Sequence, residues 1–371
     1  MWKVQLFKLN FDGRESQAVK DVVDSEWLTM GDKTKEFEKS FGEFLGDGVK
    51  CTAVSNATAA LHMSLLALDI KQGDEVIIPA LTFVADINVV RMVGATPVLA
   101  DCTSFEDWNV SASTILPLAG FSCDMDGIVA LCKEKNLFLI EDVAHAPGAM
   151  YDGKMCGTFG DVSCFSFFSN KNLSVGEGGM YATKEERLDL AGKALRSHGM
   201  SASTLDRRYG RVISYDVTSD VTRSGLNYRI DEMRSAIGLI QLEKLPVANA
   251  QRKALFEEYY RLIDAISGVE IPFRVLHNKT SVYHVFPILL DEKLDRIKII
   301  ESMKADGIQT SIHYPAFSEF SAFCELGLND APIAIEIAKR ELTLPMYPNL
   351  TFEEVVLVCE ALKKAIKEEG F

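Results

Sequence analysis

The sequence lacks the features that would direct it to a membrane or to nucleic acid. Its 371 residues carry 39 Lys and Arg against 53 Asp and Glu. The formal net charge of -14 disfavours binding to nucleic-acid phosphates and to anionic membrane surfaces. The residues after Met1 lack the apolar stretch of a signal peptide, and no apolar run reaches the length of a membrane span. We therefore expect a cytoplasmic protein with no nucleic-acid or membrane partner.

The sequence also lacks the cysteine and glycine motifs of several common classes. None of its eight cysteines forms a CxxC pair, and no Cys/His cluster has zinc-finger spacing, so we predict no metal site. Scattered thiols in a chain of this length indicate reduced, mostly buried cysteines. No GxGxxG fingerprint follows a first strand, which argues against a nucleotide-cofactor oxidoreductase.

Between about residues 34 and 190, the hydrophobic pattern alternates between helical and strand periodicity. We predict helices at 34–45, 58–68, 83–93 and 125–133, and strands at 75–79, 96–100 and 137–140. Strands that are apolar along their whole length are typical of parallel sheets with helices on both faces. The sequence therefore predicts an α/β architecture with a mostly parallel central sheet.

Two domains are predicted, a large one at 1–247 and a smaller α/β one at 248–371. The later part contains helical patterns at 233–245, 248–266, 293–305, 331–341 and 352–368, and a strand pattern at 282–290. The connection at 101–115 is short for a parallel crossover, which needs about a dozen residues. Either a connecting helix is trimmed there or residues are absent from the chain.

A lysine stands between two asparagines, after an apolar strand and before a glycine-rich turn. This lysine, Lys171, lies within the stretch 163–180. A lysine that forms a Schiff base needs a rigid element to aim it and a partly desolvated site that keeps its amine neutral. The following glycines, Gly176, Gly178 and Gly179, are expected to let the backbone approach a flat cofactor. An exposed loop lysine is the alternative interpretation.

An acid ends the apolar run that begins at residue 137. Asp142 stands at that end, and His145 follows closely. In open α/β sheets, ligands bind outside the carboxyl ends of the strands. A carboxylate there could keep a pyridine nitrogen protonated, with the histidine against the ring. A helix-capping acid and a structural histidine are the alternatives.

Two further stretches suit the same cofactor. Thr58 opens a helix, where free N–H groups and the helix dipole favour a phosphate. Phe83 could stack on a flat ring. A helix cap and a core phenylalanine are the ordinary interpretations of these residues. In order along the chain, however, the stretches supply a phosphate site, a ring stacker, a ring-nitrogen partner and a lysine, as a pyridoxal-phosphate (PLP) enzyme of fold type I does.

With these motifs the sequence resembles the DegT/DnrJ/EryC1/StrS family, the PLP-dependent aminotransferases that act on nucleotide-linked keto sugars. The resemblance implies the fold-type I architecture, with a large PLP-binding domain and a smaller C-terminal α/β domain. The matching stretches are 26–31, 55–62, 73–83, 141–148, 165–172, 176–179, 196–199, 225–230, 307–315 and 344–348.

The resemblance implies roles for individual residues. Lys171 would hold pyridoxal 5'-phosphate as a Schiff base, and Asp142 would bind the pyridine nitrogen. The other cofactor-binding residues that it implies within one subunit are Ala57, Thr58 and Ser166 around the phosphate, with Phe83 and His145 at the ring. Family members usually have glycine in place of Ala57, so the backbone approach to the phosphate is expected to differ slightly. Many relatives carry glutamine in place of His145.

The family resemblance also implies a homodimer with shared active sites. Asn227 and Arg229 would reach the partner subunit's cofactor, and a local helix-entry network is the alternative interpretation of both. The implied catalytic residues are Lys171 and Asp142. The implied reaction moves an amino group, with glutamate as the expected donor, to a nucleotide-linked keto sugar.

The sugar itself is less well specified. The Gly-Glu-Gly-Gly motif at 176–179 resembles that of the family members that aminate sugar C4 more than that of the members acting at C3, which implies amination at C4. The candidates for the sugar pocket are Trp27, Thr29, His313 and Tyr314. A sugar dehydratase of the same family is an alternative, although the best-known dehydratases carry histidine in place of the lysine. A non-catalytic regulatory relative would be expected to have lost the lysine or the aspartate, and both are present.

Overall fold

Helices and strands alternate along most of the chain in the computed structural model, which describes residues 1–106, 108, 114–115, 118–200, 209, 221, 224–274, 278–328 and 330–371. The helices of this part are α1 (Arg14–Asp24), α2 (Asp32–Leu45), α3 (Ala57–Ala67), α4 (Ala85–Met92), α5 (Met125–Lys135), α6 (Glu186–Arg196), α7 (Glu232–Ile263), α8 (Arg296–Ala305), α9 (Pro332–Arg340) and α10 (Phe352–Glu368). The strands are β1 (Lys50–Val54), β2 (Glu75–Pro79), β3 (Thr96–Ala100), β4 (Thr114–Ile115), β5 (Ile140–Asp142), β6 (Met150–Tyr151), β7 (Lys154–Met155), β8 (Val162–Ser166), β9 (Gly179–Thr183), β10 (Val269–Glu270), β11 (Lys279–Thr280), β12 (Phe286–Leu290) and β13 (Glu341–Leu344).

The central sheet has the order β1-β9-β8-β5-β4, and β2 pairs with β3 beside it. The pairs β4–β5, β5–β8 and β2–β3 are parallel, as the apolar strands predicted. Strand β9 is antiparallel to both β8 and β1, so β1 runs in the same direction as β8. The carboxyl ends of β1, β5 and β8 therefore meet at one edge of the sheet, where ligands bind in open α/β folds.

Packing on α2 holds strand β8 in place. This helix buries an apolar face, on which Phe37 and Phe41 are fully buried. Phe41 packs edge-on against Phe165 with ring centroids 4.9 Å apart, and Phe37 lies 5.4 Å from Phe167. This aromatic core fixes the strand that leads into the turn bearing Lys171.

The helical patterns at 233–245 and 248–266 belong to one helix, α7, which has 32 residues and contains Pro246. A proline in a helix removes one hydrogen bond and crowds the preceding turn. Packing on both sides offsets this cost. Leu245 is buried beside α2 in one cluster, while Phe256 and Tyr259 belong to the C-terminal core. The domain boundary proposed at 247/248 falls inside this helix.

The start predicted at residue 137 for the next strand is wrong, because β5 begins at Ile140, while its end at Asp142 agrees with the sequence. Leu137 and Phe138 are exposed in this chain. The backbone N–H of Leu139 is instead bound by the Asp161 carboxylate at 2.7 Å.

The predicted strand at 282–290 is reduced to β12, since Tyr283 has a φ of 50°, which interrupts an extended backbone. Strands β10, β12 and β13 form an antiparallel sheet in the C-terminal part.

Val4 joins this part of the molecule, pairing with Ile308 and lying in the same buried cluster. Within the short connection at 101–115, residues 107 and 109–113 lie outside the described ranges, so the question of a trimmed helix stays open. No helix within those ranges is both long enough and apolar enough to cross a bilayer.

Candidate active site

A cavity of about 710 Å³ lies at the carboxyl edge of the central sheet. Its walls come from the start of α3, the entry to α4, the ends of β5 and β8, and the segment at 311–314. The residues predicted from the sequence that line it are Ala57, Thr58, Phe83, Asp142, His145, Ser166, Lys171, His313 and Tyr314. Segments far apart in the chain thus bring together the predicted cofactor residues of one subunit.

Lys171 sits in a tight turn after β8. Its backbone N–H donates to the Phe168 carbonyl at 2.9 Å. The neighbouring Asn172 anchors this turn, because its Nδ2 donates to the Val282 carbonyl and to Asn249 Oδ1, each at 2.9 Å. Among the described residues the Lys171 amine has no hydrogen-bond or ion-pair partner. Burial lowers the pKa of Lys171 to about 7, and the negative charge of Asp142 opposes that shift.

One of the glycines after Lys171 lies against the protein's own backbone. A Cβ on Gly179 would lie 2.5 Å from the backbone of Asn56 and 2.7 Å from the nitrogen of Ala57. Gly176 has a φ of 90°, a conformation that favours glycine. The close approach at Gly179 is therefore to the protein's own backbone, and it lets β9 pass against the start of α3.

Asp142 is buried at the end of β5. One of its carboxylate oxygens, Oδ1, accepts a hydrogen bond from the Ala144 N–H at 2.9 Å. Burial raises the pKa of Asp142 to about 6, while the Ala144 N–H and the nearby Lys171 act in the opposite direction. The side chain is thus an acceptor in a dry site, opposite a lysine that is easily deprotonated.

The start of α3 provides an anion site. Asn56 caps the helix by accepting a hydrogen bond from the Ala59 N–H at 2.8 Å. The first N–H groups of a helix have no acceptor within it, and the helix dipole adds positive potential there. Ala57 and Thr58 line the cavity at this point, and Ser166 lines it from β8. Hydroxyls and free amides at such a terminus suit a phosphate.

Aromatic and imidazole side chains form another wall. Phe83 is half exposed at the cavity and lies 5.5 Å from the ring of Tyr314. The Tyr314 hydroxyl is 2.9 Å from Nε2 of His145, whose Nδ1 is buried and has no partner within the described ranges. Burial, and then the positive charge of Lys171, lower the pKa of His145 well below its ordinary value, so its ring is neutral.

His313 is held by a buried carboxyl group behind it. Its Nδ1 lies 2.8 Å from the Thr343 hydroxyl, which in turn donates to Glu341 Oε1 at 2.5 Å. The backbone N–H of His313 donates to the other Glu341 oxygen at 2.7 Å. Burial lowers the pKa of His313 to about 3 and raises that of Glu341 to about 8. This arrangement orients a neutral imidazole at the cavity.

Four predicted residues lie outside the cavity of this chain. Trp27 lines a separate groove between α1, α2 and α7, and its Nε1 donates to the Met30 carbonyl at 3.3 Å. Thr29 is exposed and forms a backbone bridge with Asp231. Asn227 is exposed, and Arg229 donates to Ser197 Oγ at 2.9 Å. Their roles in substrate binding and in a partner's site remain predictions.

Three of the residues at or behind the cavity that sequence reasoning did not select have side chains that bear on its chemistry. Asp86 is a buried acid next to Asp142. His284 packs 4.4 Å from His145, with its Nδ1 2.9 Å from Asn172 Oδ1. Tyr228 lines the cavity although its neighbours in sequence, Asn227 and Arg229, do not. Only Tyr228 carried a signal, since it stands between two residues already selected.

Comparison with known proteins agrees with this geometry. Residues 10–363 match the DegT/DnrJ/EryC1/StrS aminotransferase family. The chain belongs to this family. The predicted family, fold class and enzyme class are thereby confirmed: the chain is an aminotransferase with the fold-type I architecture.

Three similar proteins illustrate the relationship within the DegT/DnrJ/EryC1/StrS family. GDP-perosamine synthase of Escherichia coli O157:H7 is 33% identical, over 97% of this chain and 98% of its own. The structure of Helicobacter pylori PseC, an aminotransferase of pseudoaminic acid biosynthesis, superposes with a TM-score of 0.88 at 28% identity, covering 98% and 99% of the two chains. Spr1654 of Streptococcus pneumoniae, in its PMP form, has a TM-score of 0.89 at 25% identity, covering 100% and 99%.

The family implies PLP, and the residues present fit it. The cavity offers a lysine amine that has no partner among the described residues, a buried carboxylate and a helix N-terminus. It also exposes an aromatic face at Phe83. Two buried polar atoms, Nδ1 of His145 and Oδ1 of Asn170, have no hydrogen-bond partner in the part of the chain that the structure describes. Unpaired buried polar atoms are rare in proteins, so their presence at this cavity is consistent with a polar ligand.

Proposed function

We propose that this aminotransferase uses PLP to move an amino group from glutamate to a nucleotide-linked keto sugar, with C4 favoured over C3. The observation that carries the proposal is the placement of Lys171 and Asp142 in one cavity, beside the anion site at the start of α3. PLP, when bound, supplies an electron sink for the carbon from which a proton is removed.

Lys171 is the proposed site of covalent attachment and the proposed base. With a pKa of about 7, its amine is available in the neutral form near physiological pH. A neutral Nζ can take a proton from a substrate carbon and return it to another, which is general acid–base catalysis. No other group competes for this amine, since it has no partner among the described residues.

Asp142 is proposed to hold the pyridine nitrogen. A carboxylate buried in a dry site stabilises a proton on that nitrogen far more strongly than an exposed one would. Thr58, Ser166 and the backbone at Ala57 are proposed to bind the phosphate. Phe83 and His145 are proposed to flank the ring.

The sugar pocket is proposed to lie at the mouth of the same cavity. His313 and Tyr314 line it, and a neutral imidazole and a phenol suit the hydroxyl groups of a sugar. The name of the Escherichia coli relative supports including GDP-linked sugars among the substrates to be tested. Trp27 and Thr29 are proposed to contribute from outside this chain's cavity.

A homodimer is the proposed functional unit. Asn227 is exposed and Arg229 is only partly buried, so both are available to a second subunit. In the described part of the cavity, Lys171 is the only cationic side chain. A substrate that carries carboxylate or diphosphate groups needs further cations, and Arg229 of a partner is the proposed source of one.

The proposal is tested by incubating PLP-loaded protein with glutamate and a panel of GDP-, UDP- and dTDP-linked 3-keto and 4-keto sugars. We expect 2-oxoglutarate and a 4-amino sugar nucleotide, identified by mass spectrometry and NMR. A 3-amino product would retain the enzyme class and overturn the C4 assignment. Loss of a sugar hydroxyl without amination would indicate a dehydratase, and no PLP binding would reject the proposal.

A further inference from the structure

A buried histidine behind the cavity is hydrogen-bonded to the residue that follows Lys171. His284 is only 2% exposed, and its Nδ1 lies 2.9 Å from Oδ1 of Asn172. The proposed function assigns no role to His284. A lysine that moves a proton must nevertheless be aimed accurately, and Asn172 anchors the turn from which Lys171 projects.

The contacts of Asn172 decide which of its side-chain atoms is the acceptor. Its Nδ2 lies 2.9 Å from the carbonyl oxygen of Val282, and a backbone carbonyl can only accept. The same Nδ2 donates to Oδ1 of Asn249 at 2.9 Å. The orientation of Asn249 is fixed in the same way, because its Nδ2 donates to the Pro147 carbonyl at 3.2 Å. Both amide protons of Asn172 are thus used, and its Oδ1 faces His284 as an acceptor.

The hydrogen bond to Asn172 fixes the tautomer of His284. An amide oxygen has no proton to donate, so the imidazole must carry one on Nδ1. Burial lowers the pKa of His284 well below its ordinary value, and the ring is therefore neutral. A neutral imidazole has one N–H, so Nε2 of His284 carries no proton. Nε2 is buried and has no hydrogen-bond partner in the described ranges.

The backbone of His284 is itself held in place. Its N–H donates to the Ala119 carbonyl at 2.9 Å. Its carbonyl accepts a hydrogen bond at 3.1 Å from Nη1 of Arg252, a buried residue of α7. Asn249 lies one turn earlier in the same helix. His284 is therefore part of a frame that can brace the turn bearing Lys171.

We propose that His284 is a positioning residue that, as the Nδ1–H tautomer, holds Asn172 and thereby fixes the turn that aims Lys171 into the cavity. This role rests on the proposed function, because that function gives Lys171 the cofactor to hold and the proton to move. Among the described residues the Lys171 amine makes no hydrogen bond, so its direction depends on its backbone. A displacement of about 1 Å at a catalytic group can cost about a hundred-fold in rate.

Two substitutions separate the N–H donor of His284 from its ring. His284→Phe keeps an aromatic ring beside His145, whose centroid is 4.4 Å away, and removes the Nδ1 hydrogen bond. His284→Asn removes the ring but can place an N–H at the same number of bonds from the backbone as Nδ1. The reaction of PLP-loaded protein with glutamate is followed in a single turnover by the change in the cofactor's visible absorbance.

The expected result is a loss of rate without a loss of glutamate binding. His284→Phe should lower the maximal single-turnover rate at least about ten-fold and leave the half-saturating glutamate concentration within about three-fold. His284→Asn should keep the maximal rate within about three-fold of the unmodified protein, because it keeps a donor for Asn172.

A double-mutant cycle tests whether His284 acts through Asn172. Asn172→Ala should also slow the single turnover, and adding His284→Phe should slow it no further, since both changes break the same contact. The matched control is Tyr259→Phe, which keeps its ring and removes a buried hydrogen bond to the Pro345 carbonyl in the C-terminal core. The control should lower the thermal midpoint and leave the single-turnover rate unchanged.

NMR of the apoprotein gives a readout that does not depend on the cofactor. The chain has six histidines, so 15N-labelled histidine gives few signals, and comparison with His284→Phe assigns those of His284. A protonated and a bare ring nitrogen differ clearly in 15N shift. We expect the proton of His284 on Nδ1, and a proton on Nε2 would overturn the proposed role even if no variant folds.

The remaining outcomes also contradict a positioning role for His284. If His284→Asn is as impaired as His284→Phe, the ring is needed and not its N–H. If both variants keep the full rate, or if the cycle is additive, His284 does not act through Asn172. Failure of borohydride to attach PLP to Lys171 in the unmodified protein would reject the proposed function instead, and NMR would still report the tautomer of His284.

Discussion

At the residue scale, the most direct prediction concerns Lys171. Lys171→Ala should lower kcat by about 10²- to 10⁴-fold, because it removes the amine that moves the proton. Borohydride treatment of the PLP-loaded protein should attach the cofactor to Lys171 in the unmodified chain, located by peptide mass spectrometry, and not in the variant. Lys184→Ala is the control, since that lysine is exposed and pairs with Asp47 at the surface. Normal turnover by Lys171→Ala would reject the assignment.

A second residue-scale prediction concerns Glu341, whose pKa is raised by burial to about 8 from an ordinary value of 4.5. The folded state therefore holds one more proton than the unfolded state between those two values. Its contribution to stability is complete below about pH 4.5 and is lost as the pH rises through about 8, by up to about 1.4 kcal/mol per pH unit. Urea titrations at pH 5, 6, 7 and 8 should show this decline, and Glu341→Gln should reduce it.

Glu336→Gln provides the matched control for this experiment, since Glu336 is more exposed and pairs with Lys339 across one turn of α9. In the Glu336→Gln variant, the free energy of unfolding should decline with rising pH as steeply as in the unmodified chain. An equal slope in Glu341→Gln would mean that Glu341 is ionised in the folded protein.

The site residues that could be predicted from the sequence are those that stand in a recognisable local motif. Lys171 follows a strand, Asp142 ends one and Thr58 lies at the start of a helix. Because strand ends meet at one edge of a sheet, their convergence was predictable. Asp86 and His284 were not predictable in this way. Their importance comes from the side chains that pack against them across the fold, and no spacing along the chain encodes that contact.

At the element scale, the C-terminal helix offers a clean test of a local sequence signal. Thr351 caps α10 in a capping box, accepting from the Glu354 N–H at 3.1 Å while the Glu354 side chain accepts from the Thr351 N–H at 2.9 Å. Thr351→Ala should lower the free energy of unfolding by about 1 kcal/mol, measured by urea denaturation. Glu353→Ala, one residue earlier and outside the box, should have a smaller effect. Equal effects would show that the first turn of α10 is stabilised by charge alone.

Element types were predicted better than element ends. The patterns at 34–45, 75–79 and 96–100 correspond to α2, β2 and β3, because each has a clear period and a polar boundary. The two patterns around Pro246 form one helix, since tertiary packing on both halves outweighs the proline. The antiparallel direction of β9 was also not predicted, because no strand reveals its partners from its own residues.

At the scale of the whole molecule, the proposed dimer predicts complementation between defective subunits. Lys171→Ala loses the base in its own cavity, and Arg229→Ala loses the group proposed for the partner's cavity. Dissociating and reassociating an equal mixture should restore roughly a quarter of the unmodified activity, because half of the dimers are mixed and each has one intact site. Neither variant alone should be active.

The control for this experiment is Ser197→Ala, which removes the contact of Arg229 within its own chain while keeping the guanidinium. It should retain most of the activity. Equilibrium sedimentation of each variant checks that the assembly is unchanged. A mixture no more active than its components would show that Arg229 serves only its own subunit.

The pairing of Val4 with Ile308 has a consequence for how the molecule is made. The ribosome releases residue 4 long before residue 308, yet Val4 is fully buried only when the C-terminal cluster is in place. Val4 therefore has no Ile308 to pair with until some three hundred further residues have been synthesised. Contacts of such large sequence separation form late and slow the final step of folding. The contact between Val4 and Ile308 can form only after synthesis has passed residue 308.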